Sequence, residues 1–482
     1  MMPSETLIAD LRKILPPERI VTEAADLLVY DADGLTIARS RPSAVVFPKN
    51  TQEVAGVVKL LAQLDVPIVP RGSGTGLAGG CIAFENGVIV STSRMTRILK
   101  IDLENRVAHV EAGVRNTALT EAVGVIPGGG AYHFSPDPSS QRASTIGGNA
   151  ATNAGGIHVL KDFVTSNHVL GVEMVLVDGT ILNCGGEDGA CESGNFDLPG
   201  LICGSEGTLG IITRLWVRLT PKPMGFRTIV SIFTATADAG RFVAEVIREG
   251  HLPAAMEMLD GSMVKVIEDA YHFGFPATAQ SLVLTEIDGI DELLDKQAEA
   301  IVGLSKKNKA VSTEASADAG RRAQLWKMRK SAFGAIGRIS TSYCTQDACV
   351  PRSKLPMVLE KIVAIGEKYG LKIPNVFHAG DGNVHPILLY DERDERQVQN
   401  VLEASEEILK YCIDVGGTLT GEHGVGIEKL KLMPYMFDPA TMKQMDRVKR
   451  AFDPGERINA GKLVPSERIQ VELGKPGRMA PQ

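Results

Sequence analysis

Two histidines, a carboxylate and a third imidazole stand out by type and spacing. His378 and His385 enclose Ala379-Gly380-Asp381-Gly382-Asn383-Val384. Asp-Gly between apolar runs is a strong signal for a two-residue hairpin. Such a hairpin pairs Gly380 with Asn383, Ala379 with Val384 and His378 with His385. The two rings are then cross-strand neighbours on one face, with Cβ atoms roughly 5 Å apart. Imidazoles so placed can share a metal ion. The plainer alternative is a polar pair on the outer face of a hairpin. Downstream, Thr420-Gly421-Glu422-His423-Gly424 offers a carboxylate and a further imidazole in a glycine-flanked turn. Glu422 would complete a His2Glu ligand set and leave His423 for proton transfer. Zinc suits that set ahead of manganese or iron.

The elements that must position these groups follow from periodicity. Residues 375–377 and 384–390 read as the hairpin strands. Amphipathic helices over 355–369 and 398–415 flank them. Far upstream, a helix is expected over 4–15, opened by Ser4 and ended by Pro16-Pro17. A strand over 44–48 follows, then a helix capped by Thr51-Gln52-Glu53 with Val54, Val57, Val58 and Leu61 on its apolar face, then a strand over 66–70. This β-α-β unit runs into Arg71-Gly72-Ser73-Gly74-Thr75-Gly76-Leu77-Ala78-Gly79-Gly80.

That loop contains Gly74-x-Gly76-x-x-Gly79, the spacing of the dinucleotide fingerprint. The fingerprint requires its last glycine to open a helix. Here the Glu85-Asn86-Gly87 turn and a strand over 88–90 follow instead, and no Gly-Lys-Ser/Thr makes a Walker loop. What remains is a run of backbone N–H groups able to nest a pyrophosphate, or else an ordinary surface loop. A second small-residue region runs from Ser135 to Gly156 and a third from Gly204 to Thr213. Backbone this bare can approach a flat polar ring system closely. Pro221-Lys222-Pro223 then marks a boundary. Beyond it come helices over 238–248 and 293–306, a strand over 282–286 and a helical segment through 325–329.

Size and composition bound the function. At 482 residues the chain can form two or three domains. Its net charge of −7, without a dense basic block, argues against nucleic-acid binding. No apolar run approaches the roughly 18 residues of a membrane span, and the first residues do not read as a signal peptide. Seven cysteines without a Cys-x-x-Cys pair suit a reducing cytoplasm and argue against an iron–sulfur cluster carried by this chain. Fifty glycines exceed the usual share of about 7% and are clustered.

Taken in order, 70–80, 136–156, 204–211, 378–385 and 421–426 resemble the FAD-linked oxidases with a vanillyl-alcohol-oxidase or PCMH-type flavin domain. The branch is that of glycolate oxidase flavin subunits, D-lactate dehydrogenases and D-2-hydroxyglutarate dehydrogenases, and the resemblance spans roughly residues 20–466. Within it, 378–386 and Gly337-Arg338-Ile339-Ser340 look most like the glycolate oxidase subunit. The resemblance implies an α+β chain in three parts: a two-subdomain FAD-binding domain over 1–220, an α+β cap domain on an antiparallel sheet over 221–455, and a C-terminal return and tail over 456–482, with FAD between the first two. It implies that Pro70, Arg71, Gly72, Ser73, Gly74, Thr75 and Gly76 hold the pyrophosphate. Pro136, Asp137, Ser140, Gly147, Gly148, Asn153 and Gly156 would line the flavin. Glu206, Gly207 and Ile211 would meet the adenosine side or backbone, and Asn459 would approach the ring. Relatives that attach FAD covalently use a histidine where Thr75 stands, so non-covalent FAD is expected.

For the second site the resemblance implies His378, His385 and Glu422 as metal ligands, His423 as general base, Asn383 as a substrate or metal-shell contact, and Arg329 on the substrate carboxylate. Oxidising a 2-hydroxy acid needs a hydroxyl proton removed and a hydride sent to flavin N5. A divalent metal lowers the hydroxyl pKa, a neutral histidine takes the proton, and FAD accepts the electrons. By the same resemblance the hydroxyglutarate enzymes carry a lysine shortly before the Asp347 position; Thr345-Gln346-Asp347 has none, which favours a monocarboxylate such as glycolate or D-lactate over D-2-hydroxyglutarate. A non-catalytic FAD-binding electron-transfer subunit is the reading of another class. Partner iron–sulfur and second flavoprotein subunits, a homo-oligomer, and a cytoplasmic place at the inner membrane face are implied by the resemblance alone.

Overall fold

The computed structural model describes residues 5–84, 86–185 and 196–466. Ser4, Glu85, Cys191 and the tail beyond 466 lie outside the described residues. The chain forms two compact units: residues 1–155, 164–222 and 422–482 in one, and 156–163 and 223–421 in the other. The sequence divided it at 220 and 455. The two units exchange at Lys222/Pro223 and at Gly421/Glu422, and residues 422–482 group with the first unit.

In the first unit, α1 (Glu5–Leu11) is shorter than the expected 4–15, and residues 12–15 close it as turns. Strands β1 (Ile20–Val21), β2 (Ala44–Val46), β3 (Ile68–Arg71) and β4 (Val88–Ser91) form a sheet in the order β1-β2-β4-β3. Both β2 and β3 run parallel to β4. Helix α2 (Thr51–Gln63) makes the crossover and buries Val54, Val57, Val58 and Leu61. Its cap is Asn50, whose side chain accepts from Glu53 N at 2.9 Å. Asn50 stays extended while Thr51 is already helical, so the expected capping triplet lies one residue late.

A second sheet is antiparallel, from β5 (Ile98–Asp102), β6 (Val107–Glu111), β7 (Val169–Val175), β8 (Ile181–Cys184) and β9 (Ile211–Arg218), in the order β5-β6-β9-β7-β8. Between β6 and β7 runs α3 (Ile146–Thr152), capped by Thr145, whose hydroxyl accepts from Gly148 N. The chain returns at its end to the first sheet: Ile68 N donates to Arg457 O at 2.8 Å, and Asn459 N donates to Ile68 O at 2.8 Å.

The second unit is built on a seven-stranded sheet. Its strands are β10 (Gly225–Phe233), β11 (Ala255–Asp260), β12 (Ser281–Gly289), β13 (Ser312–Ser316), β15 (Ala348–Cys349), β16 (Val376–His378) and β17 (Asn383–Val384), in the order β13-β10-β12-β11-β16-β17-β15. Strand β14 (Ser342–Thr345) pairs with β18 (Ile387–Tyr390) in a separate ladder. Among its helices are α4 (Thr236–Arg248), α5 (Asp291–Lys307), α6 (Ala319–Lys330), α7 (Leu355–Tyr369) and α8 (Glu395–Asp414). Helices α7 and α8 carry the apolar periodicity that predicted them; α7, for example, buries Leu355, Val358, Leu359, Ile362 and Ile365.

Candidate functional site

The hairpin exists with a different register. His378 pairs with Asn383, not His385, so four residues turn the chain instead of two. The longer turn is stabilised locally: Gly382 has φ 85°, its N–H donates to His378 O at 3.2 Å, and Asn383 N donates to Asp381 Oδ1 at 3.0 Å. Side chains alternate with period two, so a slip of two residues leaves His385 on the same face as His378. The rings become diagonal neighbours, with centroids 5.1 Å apart and planes at 85°. Both are buried, and each offers a nitrogen within 4.8 Å of the other's.

The sheet supplies each histidine with a carboxylate. Glu257 on β11 is the direct cross-strand partner of His378, which in turn faces Asn383, which faces Cys349. Glu257 is fully buried, and its Oε1 lies 2.6 Å from His378 Nδ1. Its Oε2 accepts from Arg329 Nε at 2.7 Å and lies 2.6 Å from Nη2. Burial alone would raise the Glu257 pKa, but the charges and hydrogen bonds of His378 and Arg329 carry it below the ordinary value. Glu257 is thus a carboxylate that accepts, and Nδ1 of His378 donates.

One row further along, the pairing of Ala348 with Val384 brings Asp347 opposite His385, with Oδ1 3.4 Å from Nε2. The other oxygen of Asp347 accepts from Thr420 Oγ1 at 2.7 Å and Gly421 N at 2.8 Å. Glu422 and His423 follow Gly421 by one and two peptide bonds. A Cβ on Gly421 would stand 2.6 Å from Asn383 Cγ, so a side chain there would displace the Asn383 amide. Asn383 Oδ1 and Thr345 Oγ1 are buried without a hydrogen-bond partner. Two buried imidazoles, each beside a carboxylate, with open acceptors nearby, fit a divalent cation.

In the first unit, the glycine loop lies where the sequence put it, between β3 and β4 and with no helix after Gly79. Arg71 is buried, donates to Ala32 O at 2.9 Å and lies over the Tyr30 ring. A Cβ on Gly72 would stand 2.5 Å from Thr145 Oγ1, and one on Gly147 2.5 Å from Ala112 Cβ. The first two small-residue stretches therefore meet through bare backbone. Ser73 is exposed, with Gly74, Thr75 and Gly76 partly so. Beside them Ser144 Oγ and Asn149 Nδ2 are buried without a partner. This bare cradle with open polar atoms fits a flavin nucleotide.

Several expected flavin contacts have structural tasks as well. Asn116 Nδ2 donates to Pro136 O at 2.8 Å, and Ser140 O accepts from Ala143 N and Ser144 N at 2.8 Å. Asp137 is half-buried beside them. Asn153 has φ 50°, ends α3 and accepts from Ser166 N through Oδ1 at 2.8 Å. Gly148 sits in the first turn of α3. Gly156 belongs to the second unit, and Ile211 is buried in the core beneath β3. Gly207 packs on Pro70, where a Cβ would lie 3.1 Å from Pro70 Cγ. Glu206 is buried, and its carboxylate accepts from Val425 N and Gly426 N, both at 2.7 Å. Burial raises its pKa, opposed by those bonds. Asn459 donates to Gly80 O at 2.9 Å and Glu206 O at 2.7 Å. Lys462, whose pKa burial pushes down to about 8, donates to Gly80 O, Ile82 O and Asn459 Oδ1. Lys462, Glu257 and the packing role of Glu206 were missed from sequence. The only signal for Glu257 was one acid inside the apolar run 255–259.

These two sets of residues, on this fold, define a flavin-dependent oxidoreductase. Residues 42–185 match the FAD binding domain model, and 222–463 match the C-terminal domain of FAD linked oxidases. The chain is 38% identical over 469 residues to "Glycolate oxidase subunit GlcD" of Escherichia coli (strain K12), covering 97% of this chain and 93% of the relative. It is 33% identical over 425 residues to "D-lactate dehydrogenase" of Archaeoglobus fulgidus, covering 87% and 91%. Among solved structures, p-cresol methylhydroxylase with substrate bound superposes with a TM-score of 0.80 at 18% identity, covering 96% of this chain and 99% of that one. The chain belongs to the FAD-linked oxidase family, with a PCMH-type FAD-binding fold. No described helix is long and apolar enough to cross a membrane.

Proposed function

We propose that the protein oxidises a small D-2-hydroxy acid, glycolate or D-lactate, to the 2-oxo acid. The observation that carries this reading is the buried pair His378 and His385, each backed by a carboxylate, in a chain whose relatives are named for those two substrates.

FAD, held non-covalently by residues 70–76 and the 136–156 stretch, supplies the two-electron acceptor. A divalent cation, zinc ahead of manganese or iron, would be held by His378, His385 and Glu422 and would acidify the substrate hydroxyl. The chain's own groups do the rest. His423 takes the hydroxyl proton, a task suited to an imidazole near neutral pH. Arg329, whose Nε and Nη2 are held by Glu257, would bind the substrate carboxylate. The Asn383 amide, with Oδ1 open, orients the substrate or the cation. Burial of both imidazoles keeps water from competing for the reacting hydroxyl.

The word "subunit" in the relative's name supports a complex, and by resemblance alone the electron acceptor would be a partner iron–sulfur subunit or second flavoprotein at the inner membrane face. Steady-state rates with an artificial acceptor test the substrate: glycolate or D-lactate should exceed L-lactate and D-2-hydroxyglutarate at least tenfold in kcat/KM. A preference for D-2-hydroxyglutarate would overturn the assignment.

A further inference from the structure

We propose that Glu257 is the positioning residue of the second site: it fixes the tautomer and ring plane of His378, and Arg329 holds Glu257 in place for that task. The inference deepens the metal reading above and rests on it.

The geometry leaves Glu257 little other purpose. The carboxylate lies on an inner strand among Met256, Met258, Leu259 and Leu284, all buried. A charge there is costly, and a buried ion pair of this kind is commonly no more stabilising than apolar side chains of the same volume. Glu257 and Arg329 alone would thus be a poor way to fill this part of the sheet. The third partner gives the pair a use. Oε2 takes both Arg329 contacts, at 2.7 and 2.6 Å, which leaves Oε1 directed at His378 Nδ1 at 2.6 Å. An acceptor at Nδ1 demands the hydrogen there and leaves the lone pair on Nε2. Only in that tautomer can His378 offer Nε2 to a cation. A carboxylate behind a ligating imidazole also makes the ring more basic and stops it rotating. The backbone enforces the arrangement, because Glu257 and His378 are register partners on adjacent strands.

Glu257→Gln tests this. The amide keeps one acceptor oxygen but turns the other position into a donor. It can satisfy His378 or Arg329, not both. Zinc affinity of the purified full-length protein, measured by competition with a chromophoric chelator, should fall 10- to 100-fold, with the FAD-to-protein ratio unchanged. An affinity within threefold of the parent overturns the proposal. Parent protein whose zinc binding is absent, or is unaffected by His378→Asn, overturns the metal reading and this inference together, so the two failures are distinguishable. If Glu257→Gln does not fold, as judged by lost FAD, the decision passes to the zinc-loaded parent. Its 15N-histidine spectrum must show His378 protonated at Nδ1 with the lone pair at Nε2, and the opposite tautomer overturns the proposal.

Discussion

Glu286→Gln is the substitution with the most legible cost. Glu286 sits on β12 of the second unit and is nearly fully buried. It accepts from Arg322 Nε at 2.8 Å and Nη2 at 2.7 Å and from Trp326 Nε1 at 2.5 Å, and it lies 3.6 Å from His158 Nε2. Burial opposes its charge, but these partners carry its pKa down to about 2 from the ordinary 4.5. At 1.36 kcal/mol per unit, that depression contributes about 3 kcal/mol at neutral pH. A folded pKa below the unfolded one means the contribution is complete above about pH 4.5 and disappears as pH falls toward 2. Glutamine keeps the shape and one acceptor but loses the charge and one oxygen. By differential scanning calorimetry at pH 7, Glu286→Gln should melt roughly 5–10 °C below the parent. Below pH 4.5 the gap should narrow. An equal gap at pH 7 and pH 3.5, or no gap at pH 7, would refute the reasoning that the network is electrostatic.

Three further outcomes follow from the first unit. Gly72→Ala places a methyl 2.5 Å from Thr145 Oγ1 and should cost about 1–3 kcal/mol, read as an about 5- to 150-fold weaker FAD dissociation constant by flavin fluorescence. Lys449→Met removes the cation that donates to Thr208 O, Ile458 O and Asp453 Oδ2 at 2.6–2.9 Å and leaves the Asp453 carboxylate buried with Ile458 N. Urea denaturation should show a loss of about 3–5 kcal/mol, with early release of FAD as the C-terminal return detaches. Acid-precipitated parent protein should leave its yellow colour in the supernatant, since Thr75 stands where covalent relatives have histidine; colour in the pellet would contradict this.

How far the sequence reached depends on how local each signal was. The amphipathic helices α7 and α8 and the glycine loop without a following helix were legible, because periodicity and punctuation are short-range. The face shared by His378 and His385 was legible through a wrong register, since a two-residue slip preserves the face. Asp381-Gly382 suggested a two-residue turn, but Asp381 Oδ1 and Gly382 N made bonds that widen it. Glu257 was not legible. It lies 121 residues before His378, and only the sheet order β11-β16-β17 joins them. The same holds for Glu206 and Lys462, whose partners are backbone atoms of distant segments. Long-range pairing of this kind has no signature in one sequence.

The most direct test is anaerobic flavin reduction in the full-length protein, before and after removal of bound metal. With metal present, glycolate or D-lactate should bleach the flavin absorbance within the time of a turnover. Chelation should slow bleaching at least a hundredfold with FAD retained, and added zinc should restore it. No bleaching with any hydroxy acid, or undiminished bleaching by protein shown to be metal-free, would contradict a metal-assisted hydroxy-acid oxidase.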